Sequence, residues 1–169
     1  MTSLHSERTA AQPDAKPRFR KVLVVIDGSE RTGRVIEQAL ALVRDARGVE
    51  VLLLGVVPEP PDARLRGYGS FKRDTIHARL KHHLGQRAVA AAARRFDQAC
   101  VPHEERIEVG DPAATILRVA GQEGCDLILL ADQPPGALRR WMPRLTGLSV
   151  ATVASQVAQL AAVPVVVVK

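Results

Sequence analysis

Two short polar stretches stand where apolar runs end, and each carries an aspartate. Asp27 opens "DGSE" directly after the run "KVLVVI", and Asp132 follows the run "DLILLA". In a parallel sheet the ligand crevice opens beyond the carboxyl ends of the strands, so both aspartates are candidates for ligand binding. Asp27 has a second interpretation, because an aspartate in a strand–turn–helix connection also accepts hydrogen bonds from the N–H groups of the turn. The two roles are compatible.

The other residues that could do chemistry do not form a catalytic or metal-binding set. The helical spacing of the histidines His77, His82 and His83 does not match a zinc motif, and no carboxylate–histidine motif accompanies them. Cys100 and His103 lack a third catalytic group, and Ser29 lacks the G-x-S-x-G context of a hydrolase nucleophile. We therefore expect no enzyme activity, no catalytic residue and no metal site.

Length and composition predict one soluble domain. The chain has 169 residues with 46% hydrophobic and 25% charged residues, and no apolar run approaches the roughly 20 residues that a membrane helix needs. Residues 1–20 are polar and lack the apolar region of a secretory signal, so we expect a disordered tail, a domain over 21–169 and a cytoplasmic location. Cys100 and Cys125 are expected to be buried thiols rather than a disulfide.

The hydrophobic pattern predicts alternating strands and helices. Strands are expected over 21–26, 49–57, 103–109, 126–131 and 163–169. Helices are expected from Thr32 to Arg44, from a cap at Asp74 to about Ala99, after an Asp111 cap with Pro112 at the first position, and from Val150 to Leu160. Such alternation is typical of a doubly wound parallel sheet with helices on both faces.

Several stretches in this order resemble the universal stress protein family. They are "KVLVVIDGSE", "LLLGVV", "EVGDPAATIL", "CDLILLA" and "VASQVAQLAAVPVVVVK", and the resemblance covers roughly residues 20–169. It implies a five-stranded parallel sheet in the order 3-2-1-4-5 and a homodimer formed through the last strand. It also implies that the protein could bind ATP, since some members of the family do.

The glycine-rich loop of the ATP-binding branch is not kept in this sequence. That loop has the form G-x-x-G, nine residues, then G-[ST], and its glycines let backbone N–H groups approach phosphates. Here its first glycine falls on Ala131 and its second on Pro134, with a longer segment before the final pair. That pair falls on Ala151 and Thr152 or, as the alternative, on the stretch from Gly147 to Ser149. A proline has no N–H to donate. We therefore expect no cofactor, with ATP or another adenine nucleotide as the alternative.

Other positions of the family's nucleotide site are better matched. The resemblance implies that Asp27 contacts adenosine, that Val56 contacts the ligand through its backbone, and that Thr152 supplies a hydroxyl at a helix N-terminus. Thr152 could equally be an ordinary helix cap. The full set of candidate binding residues is Val25, Asp27, Val56, Ala131, Asp132, Ala151, Thr152 and Val153.

The sequence thus predicts a cytoplasmic stress-response protein that is a dimeric regulatory binding module without ordinary ATP binding. The alternative is a weak adenine-nucleotide binder with slow or no hydrolysis. The segment "LRRWMPRL" carries Trp141 within the range Arg139–Arg144, and it either docks a protein partner or packs as a lid over the crevice. The net charge of +6 comes without aromatic residues interleaved among the arginines, which disfavours nucleic-acid binding.

Overall fold

The computed structural model describes residues 19–44, 46, 48–58, 85–132 and 152–169. Strands and helices alternate along this part of the chain. The strands are β1 (Lys21–Ile26), β2 (Glu50–Val57), β3 (His103–Val109), β4 (Leu127–Ala131) and β5 (Val165–Val168). The helices are α1 (Thr32–Val43), α2 (Gln86–Gln98), α3 (Pro112–Gln122) and α4 (Val153–Leu160).

The five strands form one parallel sheet in the order β3-β2-β1-β4-β5. This confirms the predicted α/β class and the strand order 3-2-1-4-5. The central strands β1 and β4 are adjacent, with Val24 opposite Leu129. Every residue of β4 is buried, and so is β1 from Val22 onward, because helices cover both faces of a doubly wound sheet.

Each face of the sheet has its own core. Val24, Leu53 and Leu129 point to the face covered by α1 and α2, where Phe96 is fully buried. The alternate residues of the same strands, such as Leu23 and Leu130, point to the face covered by α3 and α4. These are called the α1/α2 face and the α3/α4 face below. The alternation follows from the two-residue period of a strand.

The predicted helix signals agree with the structure where it describes them. The Asp111 side chain accepts a hydrogen bond from the Ala114 N–H at 2.9 Å, and Pro112 is the first residue of α3. The last helix begins at Val153, later than the predicted Val150, because Thr152 is its cap. The predicted start of the second helix at Asp74 lies outside the described residues.

The prediction for the cysteines was half wrong. Cys125 is a buried free thiol, and burial raises its pKa to about 11. Cys100 is free but exposed, because it sits in the turn after α2 with φ of 55°.

At the start of the domain, Phe19 packs against the core and the Arg20 N–H donates to the Asp126 carboxylate at 2.8 Å. The rest of the predicted tail, residues 1–18, lies outside the described residues.

Candidate functional site

The turn after β1 holds the Asp27 carboxylate in place. Its Oδ1 accepts hydrogen bonds from the Ser29 N–H at 2.9 Å and from the Thr32 hydroxyl at 2.6 Å. Gly28 follows with φ of 71°, a conformation that residues with a Cβ rarely adopt, and an added Cβ would lie 3.4 Å from the Ala88 Cβ. Asp27 is therefore a turn-stabilising residue, exposed at the carboxyl end of β1. This is the second of the two roles predicted for it.

The end of β4 is held by its main chain. Ala131 is buried and pairs with Val168, and the Asp132 N–H donates to the Val168 carbonyl at 2.8 Å. The Asp132 carbonyl accepts a hydrogen bond from the Arg31 guanidinium. The backbone at the start of the candidate phosphate loop is thus already hydrogen-bonded to β5 and to Arg31, the residue before α1.

Thr152 caps α4 in the way that the second interpretation predicts. Its hydroxyl oxygen accepts a hydrogen bond from the Ser155 N–H at 3.1 Å, and the Ser155 hydroxyl donates to the Thr152 carbonyl at 2.9 Å. Val153 follows, partly buried at the start of the helix. Ala151 lies outside the described residues.

Three candidate valines share the α3/α4 face. Val25 belongs to the core of that face, and Val56 and Val153 pack against it while staying partly exposed. Ala131, by contrast, belongs to the core of the α1/α2 face. The candidate residues therefore fall into an apolar group on one face and a polar group, Asp27 and Asp132, at the carboxyl edge.

Arg31 connects the two strands that border the crevice. It is the residue before α1, and its guanidinium reaches a carbonyl that is 101 residues away in the sequence. One helical turn later, the Arg34 guanidinium donates to the Lys169 carbonyl at 3.0 Å. Neither arginine was among the predicted site residues. Only a weak signal in the sequence points to these two arginines. The first turn of α1 contains no acidic residue, although acidic residues are favoured at a helix N-terminus.

Two kinds of site do not occur in the described ranges. No group of three His, Cys, Asp or Glu residues there could hold a metal ion. No helix among residues 19–58, 85–132 and 152–169 is long and apolar enough to cross a membrane. The His103 ring packs against Phe96, and its Nδ1 lies 3.1 Å from the Val101 carbonyl.

The segment 133–150, with Trp141 and the Arg139–Arg144 partner surface, lies outside the described residues, so that surface stays a prediction.

The sequence matches the model of the universal stress protein family over residues 18–169. The chain belongs to the universal stress protein family. The match spans the whole sheet and all four helices, which agrees with the strand order found here. No curated protein matches the sequence.

Several solved structures share this fold, and two of those described next are of universal stress proteins. The hypothetical protein MJ0577 is 19% identical with a TM-score of 0.64, over 89% of this chain and 95% of its own. A universal stress protein in complex with cAMP is 18% identical with a TM-score of 0.60, over 89% and 97%. A family member from Arabidopsis thaliana with AMP bound is 19% identical with a TM-score of 0.56, over 88% and 90%. At these identities the likeness shows the fold alone.

Proposed function

We propose that this universal stress protein is a cytoplasmic, homodimeric regulatory module that works by binding and does not hold ATP in the ordinary way. The observation that carries the proposal is the state of the backbone after β4. The Asp132 N–H, which directly follows the position of the loop's first glycine, donates to the Val168 carbonyl. The Asp132 carbonyl is bonded to Arg31.

The polar side chains of the crevice support the same conclusion. The Asp27 Oδ1 is engaged by Ser29 and Thr32, and the Thr152 hydroxyl oxygen is engaged by Ser155. A nucleotide that used these oxygens would have to compete with bonds that already stabilise a turn and a helix start. Since a net hydrogen bond contributes only about 1 kcal/mol, such an exchange gains little affinity.

Isothermal titration of the full chain with Mg·ATP tests this proposal. We expect no binding up to about 1 mM ATP, which corresponds to less than about 4 kcal/mol of binding free energy. A micromolar dissociation constant would contradict it. The matched control is Arg31→Ala, which frees the Asp132 carbonyl but leaves the Asp132 N–H bonded to Val168, so this variant should also fail to bind ATP.

A weak adenine-nucleotide site is the second candidate function, and the apolar group favours it. Val56 and Val153 are partly exposed apolar side chains that pack on the α3/α4 core to which the buried Val25 belongs, and a purine ring can bury itself on such side chains. The structures with cAMP and AMP belong to other family members. The test is titration with AMP. Asp27→Ala should abolish binding while Glu30→Ala, in the same turn, should not, and an unchanged affinity in Asp27→Ala would reject this candidate.

The homodimer through β5 is supported by the exposure of that strand. Val166 is 39% exposed, and the other three valines of β5 are only partly buried. An apolar edge strand is an aggregation liability unless another chain covers it, and antiparallel pairing of two copies across a two-fold axis would do so. Sedimentation velocity should therefore show a dimer at micromolar concentration. A monomer under those conditions would reject the proposed assembly.

A further inference from the structure

The helices of the α1/α2 face carry a surplus of positive charge. α1 and α2 contain two acidic residues, Glu37 and Asp97. The basic residues of the two helices, together with the one that follows α1, are Arg34, Arg44, Arg87, Arg94 and Arg95. On the opposite face α4 has no charged residue and α3 has one, Arg118. Positive charge is therefore concentrated on one face of the sheet.

Three of these arginines have no charged partner in the part of the chain that the structure describes. The Arg95 guanidinium lies 3.6 Å from the Glu37 carboxylate, so these two charges offset each other. The side chains of Arg44, Arg87 and Arg94 are exposed, and within the described ranges they make neither a hydrogen bond nor an ion pair. Their charge is available to a ligand outside the protein.

Basic side chains outside this face are neutralised by glutamates. Arg118 lies 3.9 Å from the Glu108 carboxylate. Arg106 pairs with Glu108 and with Glu123, and the Lys21 ammonium lies 3.3 Å from the Glu123 carboxylate. The positive field of the molecule thus comes mainly from the α1/α2 face, and a field of this kind attracts polyanions.

The three unpaired arginines form a line across the two helices. α1 and α2 run in the same direction, because both connect neighbouring strands of a parallel sheet. The contact between Glu37 and Arg95 places these two residues at the same level, with Arg94 beside them. Along the helix axes Arg87 lies about 12 Å from that contact on one side, and Arg44 lies about 10 Å from it on the other.

We propose that the line of Arg87, Arg94 and Arg44 binds the phosphate backbone of duplex nucleic acid without reading the base sequence. A guanidinium donates two parallel N–H groups to a phosphate. The steps of the line are close to the width of the major groove, about 12 Å, so successive arginines can contact phosphates on its two sides. The proposal goes beyond the proposed function and requires neither ATP binding nor the homodimer.

Composition favours a duplex over the other polyanions. Aromatic residues make up 3% of the chain, which disfavours single strands because their unstacked bases bind to aromatic side chains. A duplex keeps its bases stacked and presents its phosphates. A helix that lies on an anionic membrane carries a stripe of large apolar residues. Helices α1 and α2, which the structure describes throughout, expose one such side chain, Leu42.

Fluorescence anisotropy with the full chain and labelled DNA duplexes of about 25 base pairs tests the proposal. Two duplexes of unrelated sequence should bind equally. For three phosphate contacts, the logarithm of the association constant should fall against the logarithm of the salt concentration with a slope of about −2.7. Arg94→Gln, and separately Arg87→Gln, should weaken binding about tenfold at about 50 mM salt and reduce the slope by about 0.9.

Two further variants make the test specific. Arg118→Gln is the matched control on the α3/α4 face, where the arginine is paired with Glu108, and it should change neither the affinity nor the slope. Glu37→Gln releases Arg95 and should tighten binding. Thermal unfolding shows that each variant is folded before its affinity is compared.

Four outcomes would overturn the proposal. They are the absence of duplex binding at about 20 mM salt, equal weakening by Arg94→Gln and Arg118→Gln, tighter binding of a single strand of the same length, and binding to phosphatidylserine vesicles without binding to the duplex. The last outcome would assign this face to a membrane surface instead. None of the four bears on ATP binding or on the homodimer.

Discussion

The two edges of the sheet are protected in different ways. The outer strand β3 carries Glu104, Glu105, Arg106 and Glu108, and its side chains form ion pairs that reach α3 and β1. The outer strand β5 carries four valines. Charged side chains on an edge disfavour pairing with another chain, whereas bare valines favour it. The difference between the two edges is the reason for proposing that the homodimer forms through β5 and not through β3.

The ion pairs at β3 are joined through Glu123, the residue that follows α3. Its carboxylate pairs with the Arg106 guanidinium and with the Lys21 ammonium at 3.3 Å. The hydrogen bond from Arg106, and then the one from Lys21, hold the pKa of the Glu123 carboxyl below its usual value of 4.5. Through Glu123, the charged edge strand β3 is linked by ion pairs to Lys21 on the central strand β1. Among the described residues, the comparable polar contacts of β5 are its hydrogen-bonded pairing with β4 and, at its end, the hydrogen bond from the Arg34 guanidinium to the Lys169 carbonyl.

The largest expected effect comes from placing a charge on β5. Val166→Lys would bring two like charges together near the proposed two-fold axis, and we expect the dimer to weaken about 100-fold. Folding should be nearly unchanged, since Val166 is 39% exposed. Sedimentation equilibrium measures the first quantity and thermal unfolding the second. Glu105→Lys on β3 is the control and should leave dimerisation as it is; equal weakening in both variants would contradict the difference between the edges.

A smaller effect is expected where a helix covers β3. Gly85, the residue before α2, approaches the Ile107 side chain so closely that an added Cβ would overlap its Cγ2. Gly85→Ala should therefore destabilise folding by about 1–3 kcal/mol. Chemical denaturation measures the loss, and Gly33→Ala is the control because nothing lies within 4 Å of an added Cβ there. If both variants unfold alike, close packing does not hold β3.

Lowering the pH should weaken the ion pairs that Glu123 makes with Arg106 and Lys21. Because the folded pKa of Glu123 is lowered, its stabilisation is complete above the usual value of 4.5 and is lost as the pH falls through the folded pKa. Glu123→Gln should lower the melting temperature modestly at pH 7, and by progressively less as the pH falls toward 3. The difference between the two proteins, followed from pH 7 to pH 3, is the measurement. A difference that does not depend on pH would show that the charge of Glu123 is not what stabilises the edge.

The smallest effect concerns the turn that leads into β3. Cys100 has φ of 55°, and the equivalent turn before β4 uses Gly124 with φ of 64°. Cys100→Gly should relieve the strained conformation and raise the free energy of unfolding by about 0.5–1 kcal/mol. Gly124→Ala should have the opposite sign. Equal signs in urea denaturation would disprove that the two turns are alike.

The fold was predictable because its signals are local. The β-branched runs of β1 and β5, the aspartate–proline start of α3 and the alternation of strands with helices are all visible within short windows of sequence. The strand order came from the family resemblance, since periodicity does not say which strands are neighbours. The site was less predictable. Whether Asp27 and Thr152 face a ligand or cap local structure depends on hydrogen bonds that the residue types allow in either case.

The amino-acid sequence by itself determined the class of fold and the difference in charge between β3 and β5, and through the family resemblance it predicts the loss of the glycine-rich loop. Only the tertiary structure decided that Arg31 bonds to Asp132, that Ala131 pairs with β5 and that Val166 lies beside Arg34 of α1. The physical reason is distance along the chain. Local preferences act over a few residues, whereas a contact between residues 101 positions apart exists only after the sheet has brought β1 and β4 together.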